Sequence, residues 1–305
     1  MEARVKKRSS RLLVFAGLVS ALVALPAMAA DEEDPFATDP LFGWTPALGL
    51  VSGIVGQGSD AAVSSSVRPP AAGDDFLVMP LVGLNAEIMA PALSLPGRPR
   101  PFFQAGLLPN FGFDRDVAKE ADPGAFGISG NPLEPGDLGT PTDPRNVPEE
   151  TITGVGSQTR VKPVRLMWTA GVGLAFDFQA ADLPMRFKTS IEWIRYTLEL
   201  EGLVHRAVKP DPNDPATRFI EITGSEDFDN DAIGPGFELE VDAGRTGHMG
   251  FSVFLGFNAY RLLGNRQSKF SGSFDDGVVE TADFSVELDP WVFRGGLGFR
   301  FRWLP

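Results

Sequence analysis

The sequence predicts an all-β fold, a transmembrane antiparallel up-and-down β-barrel of eight strands. Three observations predict it. Apolar and polar residues alternate with period two in eight segments after residue 40, an export signal precedes them, and short and long connections alternate between them. The last segment shows the pattern most plainly. Trp291, Phe293, Leu297, Phe299, Phe301 and Trp303 fall on one face, with Val292, Arg294, Gly296, Gly298, Arg300 and Arg302 on the other. A strand in a soluble sheet hides its apolar face under another layer. Aromatics on one side and arginines among small residues on the other suit lipid outside and a narrow, protein-filled lumen inside.

Residues 1–30 read as a cleaved signal peptide. Arg4, Lys6, Lys7, Arg8 and Arg11 precede an apolar run over residues 12–25, and Pro26 precedes the small-x-small site Ala27-Met28-Ala29. The run is shorter than the roughly 20 residues a spanning helix needs. Residues 31–40 then read as a periplasmic N-terminal segment and 41–305 as the barrel. The absence of cysteine excludes a lipid on an N-terminal cysteine, disulfides and thiolate metal sites. Five basic residues and one acidic residue leave with the signal, taking the net charge from −13 to −17. Such a chain repels nucleic acid.

Strand four sets Leu166, Trp168, Ala170, Val172, Leu174, Phe176 and Phe178 against Met167, Thr169, Gly171, Gly173, Ala175, Asp177 and Gln179. Strand seven points Phe251, Val253, Leu255 and Phe257 outward and His248, Ser252, Phe254 and Asn258 inward. Strand six sets Phe237, Leu239 and Val241 against Glu238, Glu240 and Asp242. Strand five sets Met185, Phe187, Ile191 and Trp193 against Arg186, Lys188, Ser190 and Glu192. Its apolar parity then moves to Ile194, Tyr196, Leu198 and Leu200, which signals a β-bulge or the end of the lipid band. Strands one to three fall near 41–56, 76–90 and 101–113. Their prolines Pro46, Pro80 and Pro109 each remove a ladder donor.

Three connections are short, near 94–97, 181–184 and 244–247. The other four are expected over 57–75, 114–162, 209–231 and 264–290, with a hairpin turn at Asp275-Asp276-Gly277. The segment 114–162 is dense in glycine and proline, a loop composition. Short turns on one rim and long loops on the other is the outer-membrane arrangement, with both chain ends on the periplasmic side. In this architecture the chain resembles the small eight-stranded bacterial outer-membrane barrels, such as the outer-membrane protein A transmembrane domain. Phe299-Arg300-Phe301-Arg302-Trp303 is similar to their C-terminal signal, although Leu304-Pro305 follow it. The resemblance implies outer-membrane lipid and lipopolysaccharide as surroundings and the barrel-assembly machinery as a partner in biogenesis.

An eight-stranded barrel is just wide enough for side chains to fill it. The alternation points Arg186, Lys188, Glu192, Glu238, Glu240, Asp242, Arg294, Arg300 and Arg302 into the lumen, along with Glu87, Gln104, Asn110, Arg165 and Asp177. Arg186 and Lys188 are expected to run past Asp242 and Glu240. This set reads first as a lock of neutralising pairs and second as a charge-selective narrow pore; a route for hydrophobic small molecules is a variant of the second. The acidic run 226–231 offers Asp227, Asp229 and Asp231 to a loosely bound Ca²⁺ or Mg²⁺ on an outer loop, with no other cofactor expected. It is not an EF-hand, because Ala232 stands where that loop needs glycine. A lipid A acyl-modifying enzyme would need a base, and the two histidines offer His205, expected inward near the outer rim, and His248, expected in the lumen. The leading expectation is a non-enzymatic barrel serving envelope integrity or surface interaction.

Overall fold

The computed structural model describes residues 43–112, 114–120, 156–163, 166–180, 183–208 and 218–304. The signal peptide, the segment 31–40, Arg165 and most of the loop 114–162 lie outside the described residues. Eleven strands are described: β1 (Thr45–Ser65), β2 (Ala71–Met89), β3 (Arg100–Pro109), β4 (Arg115–Glu120), β5 (Gly156–Pro163), β6 (Leu166–Ala180), β7 (Leu183–Val208), β8 (Arg218–Thr246), β9 (Met249–Leu263), β10 (Gln267–Asp275) and β11 (Val279–Trp303). No described helix is long and apolar enough to cross a membrane.

Eight of these strands close a ring, in the order β1-β2-β3-β6-β7-β8-β9-β11 and back to β1, antiparallel throughout. The register from Leu48 runs through Ala86, Ala105, Ala170, Trp193, Ile233 and Arg261 to Trp291. It returns to β1 at the bulge between Gln57 and Ser59, roughly ten residues higher. For eight strands that offset corresponds to a tilt of about 40°. The expected eight-stranded count and antiparallel order therefore hold for the ring. Its lower end carries both Thr45 and Trp303, and the turns to β3 and β9 lie there as well.

Above the ring the wall divides. β4 hydrogen-bonds only β5, and β10 only β11. The upper parts of the strands thus form two four-stranded sheets, β4-β5-β7-β8 and β2-β1-β11-β10. They pack face to face over an apolar core that includes Val63, Leu77, Val161, Leu198, Leu200, Ile222, Phe284 and Val286. Gly202 of one sheet lies against the ring of Phe284 in the other, so a single glycine lets an aromatic side chain cross the core. The division begins at Pro80 on one side. Its carbonyl accepts from the Phe111 amide, but proline has no N–H to return, and the β2–β3 ladder stops nearby. On the other side Gly264, at φ 84°, bends the chain between β9 and β10.

Several expectations are corrected here. The connections expected over 57–75, 209–231 and 264–290 consist largely of strand: β1 and β2 are joined over 66–70, β8 begins at Arg218, and β10 and β11 form a hairpin. The hairpin turn at Asp275-Asp276-Gly277 is present, with Gly277 at φ 105°. The parity shift in strand five is no bulge, since β7 pairs with β8 from Met185 to Val208 without a break in register. What changes is the side on which apolar residues lie. In the lower half Leu50, Leu84, Phe103, Val172, Ile191, Phe237 and Phe299 are exposed on the outside. In the upper half Ile194, Tyr196, Leu198 and Leu200 are buried inside, while Arg195, Thr197, Glu199 and Glu201 alternate with them on the outside.

The five tryptophans mark the ends of the exposed apolar band. Trp44 and Trp303 lie at its lower edge, and Trp168, Trp193 and Trp291 at its upper edge. Trp291 and Trp303 share β11, and at ~3.3 Å per residue and the strand tilt they stand about 30 Å apart along the barrel axis.

Candidate functional site: a sealed lumen

The lumen residues expected from alternation lie on ring strands except Arg165, which is not described, and Asn110, which follows β3 and meets Leu81 in an isolated bridge; the contacts of the charged ones form two tiers. In the lower tier Glu240 is fully buried and is shared by four cations. Arg186 reaches it at 3.1 Å, Lys188 at 2.5 Å, Arg300 at 2.5 Å and Arg302 at 2.8 Å. Glu87 accepts from Lys188 at 2.7 Å and forms an ion pair with Arg302 at 3.0 Å, and Glu238 forms an ion pair with Lys188 at 2.9 Å. Asp177 pairs with Arg186 toward the lower mouth. The observed register sets Arg186 opposite Glu240 and Lys188 opposite Glu238, two residues from the pairing expected with Asp242 and Glu240. The β7–β8 ladder sets this pairing without any bulge of its own, running unbroken from Met185 to Val208; the β-bulge between Asp242 and Gly244 lies in the β8–β9 ladder. Asp242 stands near the rim and makes no ion pair within 4 Å among the described residues.

In the upper tier Glu192 is the hub. Arg294 reaches it at 2.6 Å, Gln104 donates to it at 2.7 Å, and the Tyr260 hydroxyl donates to it at 2.6 Å. Arg294 also donates to Asn258 at 3.0 Å. One step higher the Tyr196 hydroxyl donates to Gln57 at 2.6 Å. The chain has two tyrosines, and both sit where the charged lumen meets the apolar core, hydroxyl in the polar network and ring buried. The alternation does not reveal their role, because a buried tyrosine on the inner face looks like any core aromatic.

Arg100 was not among the expected site residues. It closes the lower mouth, donating to the Ala90 carbonyl at 3.0 Å and the Thr45 hydroxyl at 2.8 Å. The signal was weak because Arg100 begins its strand between two prolines. Aromatic rings complete the packing, with the Arg300 guanidinium 4.3 Å from the Phe254 ring centre. A cavity of about 40 Å³ remains between the tiers, bordered by Asn85, Thr169, Ser190, Asn258 and Arg300. Above it the lumen is filled by Val55, Leu108, Leu288 and Val292. The described lumen therefore holds no continuous channel.

The other expected sites are dispersed. Asp227, Asp229 and Asp231 lie on β8, not on a loop, and alternate on its outer face about 6.8 Å apart. A straight strand spreads carboxylates that a metal-binding loop would curl together. Asp229 instead meets Arg195 at 3.2 Å and accepts from the Thr197 hydroxyl at 2.6 Å. No group of three metal-ligating side chains occurs among the described residues. His205 does not face inward: its neighbour Val204 does, and His205 pairs with Glu221 at 3.0 Å. Alternation puts Ser157, on the Val161 face of β5, on the inner side, so this hydroxyl does not combine with His205 into a triad. His248 is exposed in the lower turn and takes no part in the lumen network.

No protein-family model matches the chain, and no curated protein matches it. Among solved structures, a major outer membrane protein from Thermus thermophilus is similar at 13% identity and TM-score 0.30, over 82% of this chain and 99% of that one. The outer membrane protease OmpT from Escherichia coli is similar at 9% identity and TM-score 0.32, over 89% of this chain and 99% of its own. At such TM-scores the functional reading rests on the chain's own geometry.

Proposed function

We propose that this protein is a non-enzymatic outer-membrane β-barrel, sealed along its lumen, that carries a rigid β-sandwich above the outer leaflet. Its role is structural, in envelope integrity or surface interaction. One observation carries the reading: a ring of strands with an exposed apolar exterior about 30 Å tall, edged by tryptophans at both ends. That surface is unfavourable in water, and its height suits a bilayer core. The signal-peptide pattern of residues 1–30 supports export. The strand ends Glu120, Gly156, Val208 and Arg218 lie at the far end of the sandwich, which faces away from the ring.

The test is heat-modifiable migration on gels together with a β-rich circular dichroism spectrum in detergent. A monomer that stays soluble and folded without detergent overturns the proposal. Closure is tested separately by planar-bilayer recording. Wild type and Arg294→Ala should both give no resolved conductance steps, because the apolar upper core blocks the path whether or not the Glu192 tier is intact. Steps in wild type would replace the sealed lumen with a pore.

A further inference from the structure

We propose that the cavity between the two tiers binds one small monovalent anion of the halide kind. This inference rests on the sealed-lumen reading and adds to it a site and a ligand class. Four polar side chains reach the cavity from four strands spread around the ring: Asn85 of β2, Thr169 of β6, Ser190 of β7 and Asn258 of β9. Arg300 of β11 borders it as well. Two groups of this set are left over. The Asn85 amide oxygen and the Arg300 Nε–H have no hydrogen-bond partner among the described residues, and both side chains are more than nine-tenths buried. The Thr169 and Ser190 hydroxyls also make no hydrogen bond to another described residue. Buried polar groups are paired as a rule, so this many without partners around one space point to a bound ligand.

The balance of donors and acceptors selects an anion over water. Arg294 donates to the Asn258 amide oxygen at 3.0 Å, which leaves the Asn258 amide nitrogen as a donor for the cavity. With the Arg300 Nε–H and the two hydroxyls, the wall offers four donors. The one idle acceptor is the Asn85 amide oxygen, and turning that amide over, an isosteric change, makes a fifth donor. Water must donate as well as accept, whereas an anion only accepts. Charge agrees: Lys188, Arg294 and Arg300 line the cavity against one carboxylate, Glu238, while Glu87, Glu192 and Glu240 stand outside its lining. A buried anion is costly unless cations and donors surround it, and here they do. Gly106 keeps the space open, since a Cβ there would stand 2.6 Å from Thr169 Oγ1 and 3.7 Å from Asn85 Nδ2. A volume of about 40 Å³ admits a monatomic ion and excludes phosphate or sulfate. With the apolar core above and the Glu240 tier below, the ion is enclosed as the ring closes.

The full chain would be refolded in detergent with sodium bromide and then passed into halide-free gluconate buffer. X-ray fluorescence reads the bromide kept per chain, and heat-modifiable migration confirms the fold. Wild type should keep one bromide per chain. Thr169→Val/Ser190→Val, which removes two donors, should keep about tenfold less. Ser190→Ala, a milder change, should lie between them, and Asp229→Asn on the outer face should match wild type. Folded wild type without bromide overturns the proposal, because the cavity then holds water only. Equal bromide in wild type and in both cavity variants overturns the assigned donors. Failure of the sealed-lumen reading looks different: conductance steps appear in planar bilayers, bromide is lost on exchange, and the trapped ion falls with that reading. Loss of bromide without conductance steps overturns the ion site alone.

Discussion

The lower and upper halves of the barrel use the same strands with their faces exchanged. β7 makes the comparison within one element. Below Trp193 its outer face is Met185, Phe187 and Ile191 and its inner face Arg186, Lys188 and Glu192; above, the inner face is Ile194, Leu198 and Leu200 and the outer face Arg195, Glu199 and Glu201. The backbone register continues unbroken. Strand geometry alone therefore does not decide which face is apolar; the medium on each side does. Below, buried charge must be satisfied by buried charge, as four cations around Glu240 show. Above, burial of apolar area supplies the stability, at roughly 25 cal/mol per Å². Even the charges outside differ in kind, since Lys162–Glu201 is a half-buried surface pair and Arg195–Asp229 an exposed one, the latter of little energetic weight.

Breaking each half in turn should separate the two kinds of stability. The largest effect is expected from Glu240→Ala, which leaves four buried cations short of a carboxylate and should cost about 5 kcal/mol, read by urea unfolding in lipid vesicles. Loss of the lower half first, with the sandwich following, is the expected order. Phe284→Ala removes the aromatic that bridges the two upper sheets and should cost about 3–4 kcal/mol. Limited proteolysis should then cut the upper strands while heat-modifiable migration of the lower ring is kept. Gly202→Val pushes a side chain into the Phe284 ring and should cost about 1–3 kcal/mol, again confined to the upper half.

The smallest effect concerns Asp229. The Thr197 hydroxyl and then the Arg195 guanidinium hold its carboxyl below the usual carboxylate range. A depressed folded-state value contributes stability above the unfolded pKa, near 4, and that contribution is lost as pH falls through the folded value. Because Asp229 is more than half exposed, Asp229→Asn should change stability by less than about 0.5 kcal/mol, visible only as a slightly flatter unfolding profile between pH 5 and pH 3. Calcium titration of wild type and of Asp227→Asn/Asp229→Asn/Asp231→Asn should give superimposable curves, since β8 holds the three carboxylates apart. A saturable difference would show that the strand curls in solution.

The ring was legible because its pattern has high contrast. Aromatic residues alternating with arginine or glutamate, as in β11 and β8, admit one reading of the inner face, and the lumen residues follow from it. The upper strands look like loops in the sequence for a definite reason. Residues such as Asp60, Ala61, Ala62, Val63 and Ser64 in β1 alternate weakly, and their apolar side lies inside, opposite to the side that a lipid-facing pattern leads one to seek. The parity change at Ile194 was the one strong sign of this inversion. A bulge and a change of solvent give the same letters on a single strand, and only pairing with β8 separates them.

By itself the sequence determined that strands alternate, that eight of them close a ring, and which charges point inward, because side-chain direction in a strand depends only on position. It could not determine which carboxylate meets which cation. That depends on register, and the unbroken β7–β8 ladder sets Arg186 opposite Glu240 and not Asp242. Nor could it determine that the wall divides into two sheets above Pro80. That depends on which strands lie side by side at the top, a matter of tilt and twist accumulated around the whole ring and written in no single segment.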